Sequence, residues 1–385
     1  MRARRRTTLL AASLTLALAT GATAAPAVAS PAPPGAARCT DGPSRTALCE
    51  ALAGLPDADA TAALVRVGGT DGSWRGTAGV RDLRTHRPAL ENGRFRAGST
   101  TKLVTAALVL QLAAEGRLDL DADVRRYLPR LLPDTFRTPV TVRHLLTFTS
   151  GLQPGASLGD VDGEGYDRRY ETLTPRQVVA TSVAKGPAHP AGDRQTYGNI
   201  DYTVLGLLVE KVTGDSYAHQ AHVRVFEPAG MRHTSFPVGP DPRVHGPHNR
   251  GYQLLADGRL VDATEWNVSD RWAAGDMIST TADLERLVVA LFGGEVVPRP
   301  LLEETMFTLP DVPGGATVSA GGLKPFPAGG QVLWVKSGAR PGYATAVAAT
   351  ENLSRTFVYS VNATDAKGTD TNPVAERIVR AALSG

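Results

Sequence analysis

Segments with strand character fall near the two ends of this chain and leave its middle to helices. Ala62–Val67 and Ser73–Val80 read as a hairpin, with Gly68-Gly69 and Asp71-Gly72 supplying the turn. Gln331–Lys336, Tyr343–Thr350 and Arg355–Asn362 read as three more strands, the last two joined by the short Glu351–Ser354 turn. The sequence between them carries helical periodicity and Gly/Pro-rich loops. Apolar residues Leu103, Ala106, Ala107, Leu110 and Ala114 mark a helix over 99–115 that Gly116 stops. Further helices are expected over 44–55, 141–148, 199–213 (with Asn199 as its cap), 280–292 and 374–383. Strands from both ends must meet in one sheet to bury their apolar sides. The expectation is an α/β (α+β) fold: an antiparallel sheet flanked by N- and C-terminal helices, with an inserted all-helical lobe. The sheet part is placed at 43–96 and 280–385, and the helical part at 97–279.

The first residues read as an export signal. Arg2 to Arg6 give a charged start, Leu9–Ala19 an apolar stretch, and Ala22–Ala24 and Ala27–Ala29 small-residue cleavage sites. A signal peptide is expected over 1–25 and a Pro/Ala-rich linker over 26–42, by either a general or a twin-Arg route. A secreted protein with no stable membrane span follows. In that compartment Cys39 and Cys49 default to a disulfide, and no His neighbours them at metal-ligand spacing. With 42% hydrophobic and 21% charged residues the composition is ordinary, and a net charge of +3 without a run of Lys or Arg after the N-terminus gives no nucleic-acid footprint. A monomer is expected.

Only six of the 41 basic residues are lysines, so a Lys in a chemical motif stands out. Lys can give up its proton, whereas Arg effectively cannot. Ser99-Thr-Thr-Lys102 opens a helix, and positions i and i+3 share a face, which brings an amine beside a hydroxyl. Tyr197-Gly-Asn199 precedes the second apolar helix and offers a phenol as base and an amide to orient a substrate. Lys336-Ser337-Gly338 ends a strand whose backbone can lie along an extended substrate. The backbone N–H groups of Ser99 and Ala339 are candidates for an oxyanion hole. The eight histidines form no Ser-His-Asp order and no metal pattern.

The three motifs in this order resemble the serine β-lactamases and penicillin-recognising D-alanyl-D-alanine carboxypeptidases, in the tyrosine version of class C β-lactamases. Leu145–Leu152, Phe226–Thr234 and Ala274–Thr280 also look like this family, and the resemblance spans roughly residues 60 to 384. It implies an acyl-enzyme hydrolase with no cofactor and no metal. Ser99 is the nucleophile, Lys102 and Tyr197 activate it, and Lys336 holds Tyr197 anionic or binds a substrate carboxylate. Asn199, Ser337, Gly338, Trp272 and Arg340 are candidate substrate contacts, with Lys324 as the alternative to Arg340. The family often has His where Phe148 stands, and that position is read as structural. D-Ala-D-Ala peptides are the first expected substrates. A β-lactamase, an esterase or D-amino-acid amidase, and a non-catalytic penicillin-binding protein are the alternatives.

Overall fold

The computed structural model describes residues 35–40, 46–70, 72–159, 163–368 and 371–383, so the expected signal peptide lies outside the described residues. A seven-stranded antiparallel sheet is built from β1 (Arg38–Cys39), β2 (Ala60–Gly68), β3 (Trp74–Gly79), β4 (Lys324–Ala328), β5 (Gln331–Arg340), β6 (Tyr343–Thr350) and β7 (Thr356–Ala363). Its order is β1-β3-β2-β7-β6-β5-β4, so β2 from the start of the chain pairs with β7 from its end, Val65 opposite Tyr359. The expected strands are all present. Two more were not anticipated. β1 falls inside the stretch expected to be a linker, and β4, Lys-Pro-Phe-Pro-Ala, carries two prolines that demote it by pattern. Proline lacks a ladder donor and is tolerated where one side of a strand stays unpaired, which is where β4 sits.

Both faces of the sheet are covered, which explains its buried, near-continuous apolar strands. On one face lie α1 (Thr46–Leu52) and α5 (Pro373–Leu383), whose Leu48, Leu52, Val374 and Ile378 pack over Val65, Phe357, Tyr359 and Val361. The Cys39–Cys49 disulfide ties β1 to α1. On the other face lie α2 (Thr101–Ala114), α3 (Ile200–Thr213) and α4 (Thr281–Phe292) with the rest of the helices. Each fully buried Leu, Val or Phe in these clusters contributes on the order of 1.5–3 kcal/mol by removal from water. Successive residues of β6 serve opposite faces: Val347 and Ala349 meet the helical side, Ala346 and Ala348 the α1/α5 side.

α2 departs from the expectation of one apolar face. Thr101 to Leu110 are buried all the way round, so this helix runs through the core instead of along its surface. The expected crossings between the sheet part and the helical part, 96/97 and 279/280, lie side by side, because Phe95–Arg96 pairs with Ile278–Ser279. The helical part also holds one small hairpin, Tyr252–Leu254 with Leu260–Asp262.

Candidate active site

Ser99 sits in a single 3-10 turn, Gly98–Thr100, that runs directly into α2. The turn is fixed from several sides. Thr100 Oγ1 donates to the Ala97 carbonyl, Thr101 Oγ1 donates to Gly98 O and accepts from the Met277 amide, and Ala97 N–H donates to Met277 O. It packs against β5 so closely that both strands of backbone need glycine. A Cβ on Gly338 would stand 2.1 Å from Ala97 O and 2.9 Å from Ser99 N; one on Gly98, which has φ +55°, would stand 2.6 Å from Ala339 N. The two proposed oxyanion-hole amides, of Ser99 and Ala339, therefore lie on backbones in direct contact.

Burial of α2 determines the state of Lys102. The residue is 0% exposed. Its Nζ lies 3.1 Å from Ser99 Oγ, 2.7 Å from Asn199 Oδ1 and 2.8 Å from Ala274 O. Desolvation, with Lys336 and Arg271 next in importance, holds the amine well below its ordinary range. The lowered proton affinity gives access to a neutral amine at this site. In the resting geometry Nζ donates to all three; after losing one proton it can keep the bonds to Asn199 Oδ1 and Ala274 O and turn its lone pair to the Ser99 hydroxyl. Asn199 starts α3 as expected, but its side chain makes no cap; it is spent on Lys102 instead.

Tyr197 reverses an expectation. Its hydroxyl is hydrogen-bonded to Ser99, and desolvation at the base of the cleft pushes the phenol up to about 12, towards the neutral form, although 45% of the residue is exposed along the cleft wall. Lys336 does not counter this shift. Although the Lys336 Nζ stands 5.3 Å from the Tyr197 ring centroid, that amine is itself buried, 4% exposed, and pushed down to about 7 by desolvation. Its lowered proton affinity weakens it as a counter-charge to a phenolate. Nζ donates to the Ser337 carbonyl at 2.6 Å. The tyrosine ring is positioned by Phe148, centroid to centroid 4.6 Å, which in turn stacks on Tyr202 at 5.0 Å. Phe148 holds φ +61°, a conformation non-glycine residues seldom adopt.

A cleft of about 710 Å³ opens over these groups, lined among others by Ser99, Tyr197, Asn199, Lys324, Lys336, Ser337, Gly338, Ala339 and Lys367. Two expected contacts are not in it. Arg340 is 3% exposed and does not line the cleft, whereas Lys324 does. Trp272 lines a different cavity and packs edge-on against Tyr217 at 5.2 Å. β4 pairs with β5 only from Gln331 to Val335, so the outer edge of Lys336–Arg340 carries no neighbouring strand.

Three supports were missed in the sequence. Asp201 is 1% exposed and pushed up to about 7 by burial; it accepts from Ser150 Oγ and its charge favours the protonated Lys102. Its only signal is an acid in an otherwise apolar helix start. Gln195 accepts from the Thr317 and Val318 amides and donates to Thr147 and Val318 carbonyls, joining the Tyr197 loop to the facing wall. Gly322, with φ +73°, lets Tyr197 and Lys336 approach: a Cβ there would stand 3.0 Å from the ring and 3.1 Å from Lys336 Cε.

The family model described as Beta-lactamase matches residues 50–380. Among curated relatives, Protein flp of Staphylococcus aureus strain MRSA252 is 28% identical over 212 residues, 54% of this chain and 41% of the relative. Esterase EstB of Burkholderia gladioli is 34% identical over 190 residues, 46% of this chain and 47% of the esterase. The chain thus spans half or less of the length of these relatives. A solved D-stereospecific amidohydrolase from Streptomyces sp. superposes with a TM-score of 0.73 at 29% identity, covering 88% of this chain and 97% of its own.

Proposed function

Since the chain belongs to the beta-lactamase family and is a serine hydrolase, we propose that it cleaves amide bonds beside D-residues, with peptides ending in D-Ala-D-Ala as first candidates. The observation that carries this reading is the Lys102 amine, dry and aimed at Ser99 Oγ, beside an unpaired strand edge. Lys102 takes the Ser99 proton as Oγ attacks the carbonyl carbon. The amides of Ser99 and Ala339 stabilise the oxyanion. Tyr197, neutral at rest and bonded to Ser99, gives its proton to the departing nitrogen and recovers one from Lys102. The acyl–Oγ ester then reacts with water. An extended substrate adds to the β5 edge at Lys336–Gly338, as strand-addition ligands do. The ammonium groups of Lys324 and Lys336 favour a terminal carboxylate. The D-specificity is supported by the Streptomyces amidohydrolase, whose fold extends over nearly the whole chain.

A second reading is an esterase. An apolar trough of about 170 Å³ shares Phe326, Val335, Ser337 and Tyr359 with the cleft and suits an apolar acyl group. The relative named Esterase EstB supports it. The export features of residues 1–25 support action outside the cytoplasm.

The test is an intact-mass time course with penicillin, a D-Ala-D-Ala peptide, a D-aminoacyl amide and short-chain esters, on the wild type and Ser99→Ala. Release of D-alanine by the wild type alone supports the peptidase. Turnover of esters with no amide cleavage moves the assignment to the esterase. Equal labelling of both proteins by penicillin removes Ser99 as nucleophile.

A further inference from the structure

A second cavity, about 700 Å³, shares no lining residue with the Ser99 cleft. Four guanidiniums line it: Arg81, Arg84 and Arg87 from the segment after β3, and Arg250 from the loop that runs against it. One carboxylate, Asp82, stands among them. Its Oδ2 lies 3.8 Å from Arg84 and 3.8 Å from Arg250, and Arg250 is also paired with Asp262 outside the cavity. Arg81 and Arg87 have no acidic partner among the described residues. The cavity therefore keeps a cationic excess, and we propose that it is a binding site for a small phosphate-bearing anion.

The backbone that carries these arginines is held in a fixed arrangement. Arg81 N–H donates to Arg87 O, which closes the segment on itself. Asp82 holds the turn from inside, with Oδ1 accepting the Arg84 amide at 2.7 Å and its carbonyl accepting the His86 amide at 2.9 Å. Arg250 N–H donates to Arg81 O, and Leu83 N–H to Tyr252 Oη, which join the loop to its neighbour. Little ordering is left for a ligand to impose on the backbone. Guanidinium forks approaching from separate segments suit a tetrahedral group with several terminal oxygens better than a planar carboxylate, whose two oxygens one fork already fills.

Titration calorimetry of the full chain with sodium tripolyphosphate tests the site, run at low and at high salt. Citrate serves as the carboxylate comparison and Arg137→Gln as the control for net charge. Saturable binding is expected, weakened by salt and by about tenfold or more in Arg81→Gln/Arg87→Gln, and nearly unchanged in Arg137→Gln. Ester hydrolysis at Ser99 should be unchanged in the double variant, which also reports that it folds. Absence of saturable binding, equal binding by the double variant, or equal affinity for citrate would each overturn the proposal.

Discussion

Lys336→Met isolates the energetic consequence of placing an amine in the cleft wall. The amine's pKa falls from an ordinary 10.5 to about 7, and the side chain is 4% exposed. A shift of that size is about 5 kcal/mol of penalty on the charged form in the folded state. The unfolded chain binds more protons than the folded one between about pH 7 and the unfolded value, so this group makes stability rise with pH across that window. At pH 6 the wild type carries the whole penalty; at pH 9 the remaining part is about 2 kcal/mol, the free energy of removing the proton from the unfolded amine. Methionine fills a similar volume without charge. It forfeits the hydrogen bond to Ser337 O, roughly 1 kcal/mol, at both pH values. The variant should therefore exceed the wild type by about 4 kcal/mol at pH 6 and about 1 kcal/mol at pH 9. The change between the two, about 3 kcal/mol, is free of the constant packing and hydrogen-bond contributions. Urea unfolding at both pH values measures it, provided the slopes agree. A variant advantage that does not shrink at pH 9, or a wild type more stable at pH 6, would refute the buried, depressed amine.

Other substitutions probe other parts of the site. Asp201→Asn removes the carboxylate whose charge favours protonated Lys102, so the acidic limb of the kcat/KM profile for a neutral ester should move to lower pH. Gly338→Ala forces a Cβ to within 2.1 Å of Ala97 O unless the backbones separate, and kcat should fall by about 10² while circular dichroism stays native. KM for a carboxylate-terminated peptide should rise as pH passes about 7, where Lys336 loses its proton, while KM for a neutral ester stays flat. Replacing Cys39 and Cys49 by Ser opens a loop closed over a separation of 10 residues and should lower unfolding free energy by about 3 kcal/mol without changing turnover.

What the sequence revealed and what it hid divide along physical lines. Ser99 and Lys102 could be paired because helix geometry alone places i beside i+3. That strands from both ends share one sheet was legible from their apolar character, though which strand of one end pairs with which of the other was not. The proton affinity of Tyr197 was not legible, because it depends on the desolvation of its hydroxyl, which comes from the packing of distant segments. Arg340 shares a strand face with Lys336 by alternation, yet β5 continues beneath the Ser99 turn and takes Arg340 out of reach. Trp272 stands just before a family-like stretch, but its ring is drawn towards α3: it occupies the space a side chain at Gly206 would need, 2.6 Å from a Cβ there. β4 was hidden by its prolines.

The partnership of β2 with β7 bears on when this enzyme can exist at all. β7 is the last of the seven sheet strands in chain order, and until it arrives the β2–β3 hairpin has an open flank and the β5–β6 pair has nothing to join it to the sheet's first strands. Contacts so distant in sequence close late and slowly. The Ser99 turn rests on β5, so the hydroxyl gains its oxyanion wall only when the carboxyl-terminal third has been added. A truncation ending before Thr356 removes the strand that joins the two halves of the sheet and should be inert towards acylating probes.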